Sequence, residues 1–194
     1  YPEKSNRQLP PIPLGAIGTT LATGFDRLGW HWWPADTAIL TRPYDGRDAC
    51  NNCGPCNLGC SNGSRSSADI TYWPKAIKAG ARLLTGCRVS RITTRKRYAT
   101  TVEYFDPNGQ ASSISASIIV LACNGIGTPR ILLNSESSSH PRGLANGSGE
   151  VGRNLMFHPY ATVTGVFDKL LDGQKGPIGC SIVSQEFYET DRTR

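Results

Sequence analysis

Four of the seven cysteines fall within eleven residues, Cys50-Asn51-Asn52-Cys53-Gly54-Pro55-Cys56-Asn57-Leu58-Gly59-Cys60, and this crowding constrains the fold more than any other stretch. Thiols so placed either hold a metal or brace a loop. Their intervals of two, two and three residues are too tight for a zinc ribbon, whose cysteine pairs stand about fifteen residues apart. They are closer to the run that ligates iron–sulfur clusters in bacterial ferredoxins. In that run, however, the fourth cysteine serves a second cluster and is followed by proline, whereas Cys60 precedes Ser61 and no partner run exists. Two readings stay open for Cys50, Cys53, Cys56 and Cys60: ligands of an iron–sulfur cluster, or disulfides and free thiols that brace the segment. Cys87 and Cys123 fall on expected strands and read as core residues, while Cys180 receives no role.

The rest of the chain has the composition of an ordinary globular protein. Its 194 residues suit one domain, or one domain and the start of another. With 38% hydrophobic and 19% charged residues it is not a disordered chain, and no apolar run reaches the ~18 residues of a membrane helix. It opens on Tyr1 without a signal-peptide pattern and closes on Asp191-Arg192-Thr193-Arg194, so it reads as a fragment of a longer protein. Localisation, periplasmic or cytoplasmic, is left open. The net charge of +6 is lopsided: residues 1–97 hold 14 basic and 6 acidic side chains, the remainder 7 and 9. That asymmetry invites a nucleic-acid reading. The one dense basic run, Arg95-Lys96-Arg97, nevertheless sits at an expected hairpin turn without an aromatic platform, so it reads as a solvated turn. An anionic dinucleotide would account for part of the excess.

Periodicity places a helix over 14–30, where Leu14, Ile17, Leu21, Phe25 and Leu28 share a face. The rings of His31-Trp32-Trp33-Pro34 then read as a cap over the core rather than a substrate-stacking platform. A short strand is expected over 35–40, and a second helix over 66–80, capped by Ser66 or Ser67, ended by Gly80 and made irregular near Pro74. Strands over 82–94, 98–105 and 111–121 form a meander, with Asp106-Pro107-Asn108-Gly109 as a turn. The third strand ends on Ile118-Ile119-Val120-Leu121, apolar on consecutive residues as in a strand buried on both faces. It leads into the small-residue loop Ala122-Cys123-Asn124-Gly125-Ile126-Gly127-Thr128-Pro129 and a helix from Arg130. Such a loop is often mere connection, but its backbone N–H groups can also approach a phosphate or a flavin ring. Residues 135–149 read as a surface loop, with Asn146-Gly147-Ser148 a chance glycosylation sequon, and a last strand is expected over 160–167. His158 reads as structural.

Taken together, these pieces resemble the glucose-methanol-choline (GMC) oxidoreductases, and among them the bacterial sugar and polyol dehydrogenases. The resemblance rests on the cysteine run followed by Ser64-Arg65-Ser66-Ser67, on Pro74-Lys75-Ala76 with Gly80-Ala81-Arg82, and on Val89-Ser90-Arg91-Ile92. It continues through residues 121–133 and through Val151-Gly152-Arg153-Asn154-Leu155 with His158. It implies an α/β fold: residues 1–150 would be the central part of an FAD-binding domain of the FAD/NAD(P) type with a β-meander, and 151–194 the start of a substrate-binding α+β domain. Val89 would meet the FAD adenine through its backbone, and Ala122, Cys123, Asn124, Thr128 and Pro129 would lie under the cofactor. Asn124 stands where many relatives have glycine.

The implied reaction is oxidation of a CH–OH group of a sugar, polyol or other alcohol, with hydride passing to the flavin and electrons onward to oxygen, a quinone or a cytochrome. The Gly-x-Gly-x-x-Gly element that seats the FAD pyrophosphate is not in this sequence, and the family's catalytic histidine would fall after Arg194. No catalytic residue is assigned, and His158 is not given that part. Some multi-subunit sugar dehydrogenases of the family carry a three-iron cluster at the cysteine run. An iron–sulfur electron-transfer module and a non-catalytic homologue are the alternatives.

Overall fold

A computed structural model describes residues 9–54, 56–176 and 182–188, which divide into two compact units. Cys180 lies outside the described residues.

The first unit comprises the described residues up to Ala81 together with those from Thr164 onward. Helix α1, Gly15–Leu28, buries Gly18 and Ala22 and leaves Ile17, Leu21 and Leu28 exposed, so the expected apolar stripe is only partly covered. Its end is fixed by a Schellman motif. Gly29 takes φ +69 and donates to the Asp26 carbonyl at 3.1 Å, while the Trp30 N–H donates to the Phe25 carbonyl at 2.9 Å. The rings of Phe25 and Trp30 meet at 5.6 Å, the apolar contact that accompanies this motif. Trp30 then sets its edge against Phe187 at 5.0 Å, and Trp32 Nε1 donates to Asp26 at 2.7 Å.

The expected strand over 35–40 is displaced. The ladder instead pairs β1, Trp33–Pro34, with the last strand, Ile182–Val183. Residues 38–40 are held by single bonds, Leu40 N–H to the Ser64 carbonyl and Ser66 N–H to the Ala38 carbonyl, with one bridge between Ile39 and Arg65. The helix expected over 66–80 is two pieces, α2 (Ala68–Thr71) and α3 (Trp73–Lys78), divided at Tyr72. Pro74 supplies no N–H to the preceding turn and is tolerated only at a helix start, which is where α3 places it. Gly80, at φ +99, and Ala81 close α3 with a second Schellman pair, to the carbonyls of Ile77 and Ala76.

The second unit, Arg82–Val163, is built on the antiparallel meander β2 (Arg88–Arg95), β3 (Tyr98–Phe105) and β4 (Ala111–Ser115). Asp106 closes the β3–β4 turn, its carboxylate accepting from the Asn108 and Gln110 amides at 2.9 and 2.8 Å. β2 begins six residues later than expected, because Gly86 at φ +69 breaks the extended run beside Pro107. Helix α4, Asn124–Asn134, packs on β2 with Ile131 and Ile92 buried between them. Ser135, 2% exposed, joins the two: its hydroxyl accepts the Ile92 N–H at 2.9 Å and donates to the Ile131 carbonyl at 2.6 Å.

Three expectations are corrected here. β4 stops at Ser115, and Ile118 and Val120 are 80% and 81% exposed. A strand buried on both faces needs neighbours at its edges and layers on its faces, and the described residues supply neither. No strand forms over 160–167, where Tyr160 and Val163 are exposed. Cys87 and Cys123 are half-buried and lie outside the strands.

Candidate functional site

The cysteine run forms a loop in the first unit. Cys50 N–H donates to the Leu40 carbonyl at 2.8 Å, and the Asn62 amide donates to the Ala49 carbonyl at 2.9 Å, closing the loop's two ends on each other. Asn52 (φ +57), Gly54 (φ +103) and Gly59 (φ +138) bend the chain between them. Buried Gly54 is packed so closely on the 174–176 segment that a Cβ there would overlap the Gln174 carbonyl oxygen, and the Gly176 N–H donates to the Asn52 carbonyl at 3.1 Å. The Arg65 guanidinium donates to the Cys56 carbonyl.

Two of the four thiols have local partners. Cys50 Sγ accepts from the Asn52 N–H at 3.5 Å. Cys60 Sγ lies 3.1 Å from Asn62 Oδ1 and 3.5 Å from the Ser64 hydroxyl, and it accepts the Arg65 N–H at 3.4 Å. Ser64, at 1% exposure, is the most enclosed side chain among those described. Its hydroxyl, helped by the Arg65 amide, favours the thiolate of Cys60 and pushes that thiol down to about 7, against the opposing effect of burial. All described cysteines are free. Among the described residues no three His, Cys, Asp or Glu side chains converge as metal ligands, so Cys50, Cys53, Cys56 and Cys60 are not brought together as the ferredoxin-like spacing suggests.

The expected cofactor residues lie in the second unit. Val89 is on β2 opposite Tyr104, next to a register shift between Val89 and Arg91, and is 38% exposed. Such an irregularity re-aims the backbone locally; at this one the Ser90 hydroxyl donates to the Glu103 carbonyl at 3.0 Å. The stretch from Ala122 to Pro129 is less of a loop than expected, because α4 begins at Asn124 rather than near Arg130. Asn124 starts the helix from φ +60, a conformation that asparagine tolerates better than other non-glycine residues.

Its side chain then acts on the turn it opens. Asn124 Oδ1 accepts the N–H groups of Ile126 and Gly127 at 2.8 and 3.0 Å, and Thr128 Oγ1 accepts the N–H of Cys123 at 3.1 Å. Of the backbone N–H groups expected to be able to approach a phosphate or a flavin ring, these three are paired within the turn. An added Cβ at Gly127 would press on Cys123, whereas one at Gly125 would meet nothing. The turn is therefore open over Gly125 in the direction a side chain would take. Beside it, a cavity of about 330 Å³ is lined by Ile126, Pro129, Arg130, Leu133, Arg153 and others.

His158 is exposed, with Nδ1 against the carbonyl of Pro159, and takes no part in either site. Sequence reasoning missed Ser64, Ser135 and Asn146. Asn146 is buried, donating to the Arg142 carbonyl at 2.7 Å and accepting the Val151 N–H at 3.1 Å, so its sequon is a structural element rather than an open acceptor.

Residues 21–160 match the GMC oxidoreductase family. The chain is 42% identical, over its whole length, to 2-methyl-1,2-propanediol dehydrogenase of Mycolicibacterium austroafricanum. It is 35% identical over 81% of its length to the fructose dehydrogenase large subunit of Gluconobacter japonicus, and 31% identical over 82% to paromamine 6'-oxidase of Streptomyces fradiae. It spans 36%, 29% and 30% of those proteins' own lengths. The chain belongs to the GMC oxidoreductase family.

Proposed function

We propose that the protein is an FAD-dependent dehydrogenase or oxidase that oxidises a CH–OH group of a polyol, sugar or related alcohol. The observation that carries this reading is the 42% identity, across the entire chain, to an enzyme named for a diol. In this reading residues 1–150 belong to the FAD-binding part and 151–194 open the substrate-binding part.

FAD, when bound, supplies the acceptor for the hydride leaving the carbinol carbon. The part taken by this stretch is to hold and orient. Val89 offers its backbone beside the β2 irregularity, and Ala122 and Cys123 bring the chain to α4. Asn124, Thr128 and Pro129 fix the turn whose open side is at Gly125. No side chain here is assigned to take the hydroxyl proton. The cysteines brace the loop that precedes α2. Electrons pass on to oxygen, a quinone or a cytochrome. No helix among the described residues is long and apolar enough to cross a membrane.

The test is spectroscopic. The complete protein, purified with FAD in its buffers, is expected to retain the visible absorption of bound flavin and to bleach anaerobically on addition of a 1,2-diol or a sugar. A protein that retains no flavin under these conditions refutes the proposal.

A further inference from the structure

We propose that the first unit carries a binding site for a small organic monocarboxylate, centred on Arg47 between the rings of Tyr44 and Tyr72. The site shares no residue with the expected cofactor contacts and does not depend on the flavin reading.

Two-residue turns whose central residues both take positive φ close a hairpin tightly. Asp45 (φ +53) and Gly46 (φ +74) form such a turn. The Tyr44 N–H donates to the Arg47 carbonyl at 3.0 Å, and the Arg47 N–H to the Tyr44 carbonyl at 3.1 Å. Residues opposed in this way send their side chains to the same side. Tyr44 and Arg47 both line a cavity of about 460 Å³, a size that suits a small organic ligand. Ser66, Tyr72 and Lys75 of α3 line it too, and the two tyrosine rings are exposed.

The charges specify the ligand. Lys75 Nζ meets the Asp45 carboxylate at 2.6 Å, and their hydrogen bond holds the ammonium above its usual range and the carboxyl below its own. Those two charges cancel as a pair. Arg47 acts on both from a distance but makes no ion pair among the described residues. Its part-buried guanidinium donates to neutral oxygens, the Gly63 carbonyl at 3.2 Å and the Ser66 hydroxyl at 3.1 Å. These bonds satisfy N–H groups without balancing the charge, and a charge withdrawn from water is ordinarily paired. One uncancelled positive charge calls for one negative one. The remaining N–H groups of the guanidinium suit a carboxylate, and Ser66, which accepts from Arg47, keeps its own hydrogen to donate. The exposed faces of Tyr44 and Tyr72 suit the apolar body behind that carboxylate. A doubly charged phosphate would bring one negative charge too many.

The probe is cyclohexanecarboxylate, which has no alcohol to be oxidised, and its control is the neutral cyclohexanecarboxamide of nearly the same shape. Titrated calorimetrically into the complete protein at low salt, the carboxylate is expected to bind about tenfold more tightly than the amide, the worth of one charge-assisted hydrogen bond. Arg47→Gln keeps a donor for the Gly63 carbonyl but removes the charge, and is expected to abolish that preference. Tyr72→Ala, at an exposed ring, is expected to weaken the carboxylate about threefold with the preference retained. Equal binding of carboxylate and amide by the native protein, or no binding of the carboxylate, overturns the inference. So does inorganic phosphate that competes as strongly as the carboxylate. An unchanged carboxylate affinity in Arg47→Gln overturns it as well, and should that variant not fold, an unchanged affinity in Tyr72→Ala does the same.

Discussion

Replacing Ser135 by alanine removes one oxygen from the joint between α4 and β2. That oxygen accepts the Ile92 N–H at 2.9 Å and donates to the Ile131 carbonyl at 2.6 Å, at a site only 2% exposed. Ile92 is 4% exposed, so its freed N–H cannot turn to water. A buried donor left without a partner costs about 1–3 kcal/mol. The Ile131 carbonyl loses a partner too, but carbonyls tolerate this better, so the expected destabilisation is about 2 kcal/mol. In a domain of ordinary size that lowers the melting temperature by on the order of 5 °C. The assay is thermal or urea unfolding of the complete protein, with Ser113→Ala on exposed β4 as a control expected to stay within about 0.5 kcal/mol. Hydrogen exchange at Ile92 should rise in the Ser135 variant alone. A Ser135→Ala protein as stable as the control would refute the view that this hydroxyl couples helix to sheet.

Other consequences follow from the cysteine loop. Because the folded thiol of Cys60 is pushed down to about 7, iodoacetamide should label it with a midpoint near that pH, and Ser64→Ala should move the midpoint upward. A thiol that ionises more easily when folded contributes stability above its unfolded pKa, so this contribution should fade as pH falls through about 7 and be absent in Cys60→Ser. Gly54→Ala, which must hold φ +103 and displace the Gln174 carbonyl, should destabilise the protein by about 1–3 kcal/mol, read as a lowered urea midpoint. A wild-type midpoint would mean that the 174–176 segment does not brace the loop.

The sequence made the local devices legible where they depend on one residue type in one conformation. Gly29 and Gly80 end helices because only glycine takes positive φ freely, and Asp106-Pro107-Asn108-Gly109 announces its turn. The meander was legible too, since its turns are short and its strands adjacent. The start of α4 was not. A run of Asn, Gly and Thr reads as loop by propensity, and what makes it helix is a side chain folding back onto amides two and three residues ahead. Ser135 was illegible for a related reason: its partner on β2 is 43 residues away, and nothing in a Ser-rich segment distinguishes the one serine that is buried.

The failure at 118–121 has a different physical origin. Polar satisfaction in this chain is largely short-range, as at Asn62, Ser64, Asn124 and Asn146, and no buried side-chain polar atom among the described residues lacks a partner. Apolar burial is long-range, and it depends on what lies across the contact. Ile118, Val120, Met156 and Val163 are 80–95% exposed, although their spacing and character are those of covered residues. Large exposed apolar patches mark surfaces made for contact, and the stretch spans only 36% of a GMC relative's length. The two kinds of residue should therefore respond to different contexts. A polar substitution at Ser64 or Asn124 perturbs bonds that close within a few residues and should have its effect wherever this stretch is folded. Val120→Ala should cost little in the stretch alone and reach the ~1–3 kcal/mol of a core truncation only in the complete protein.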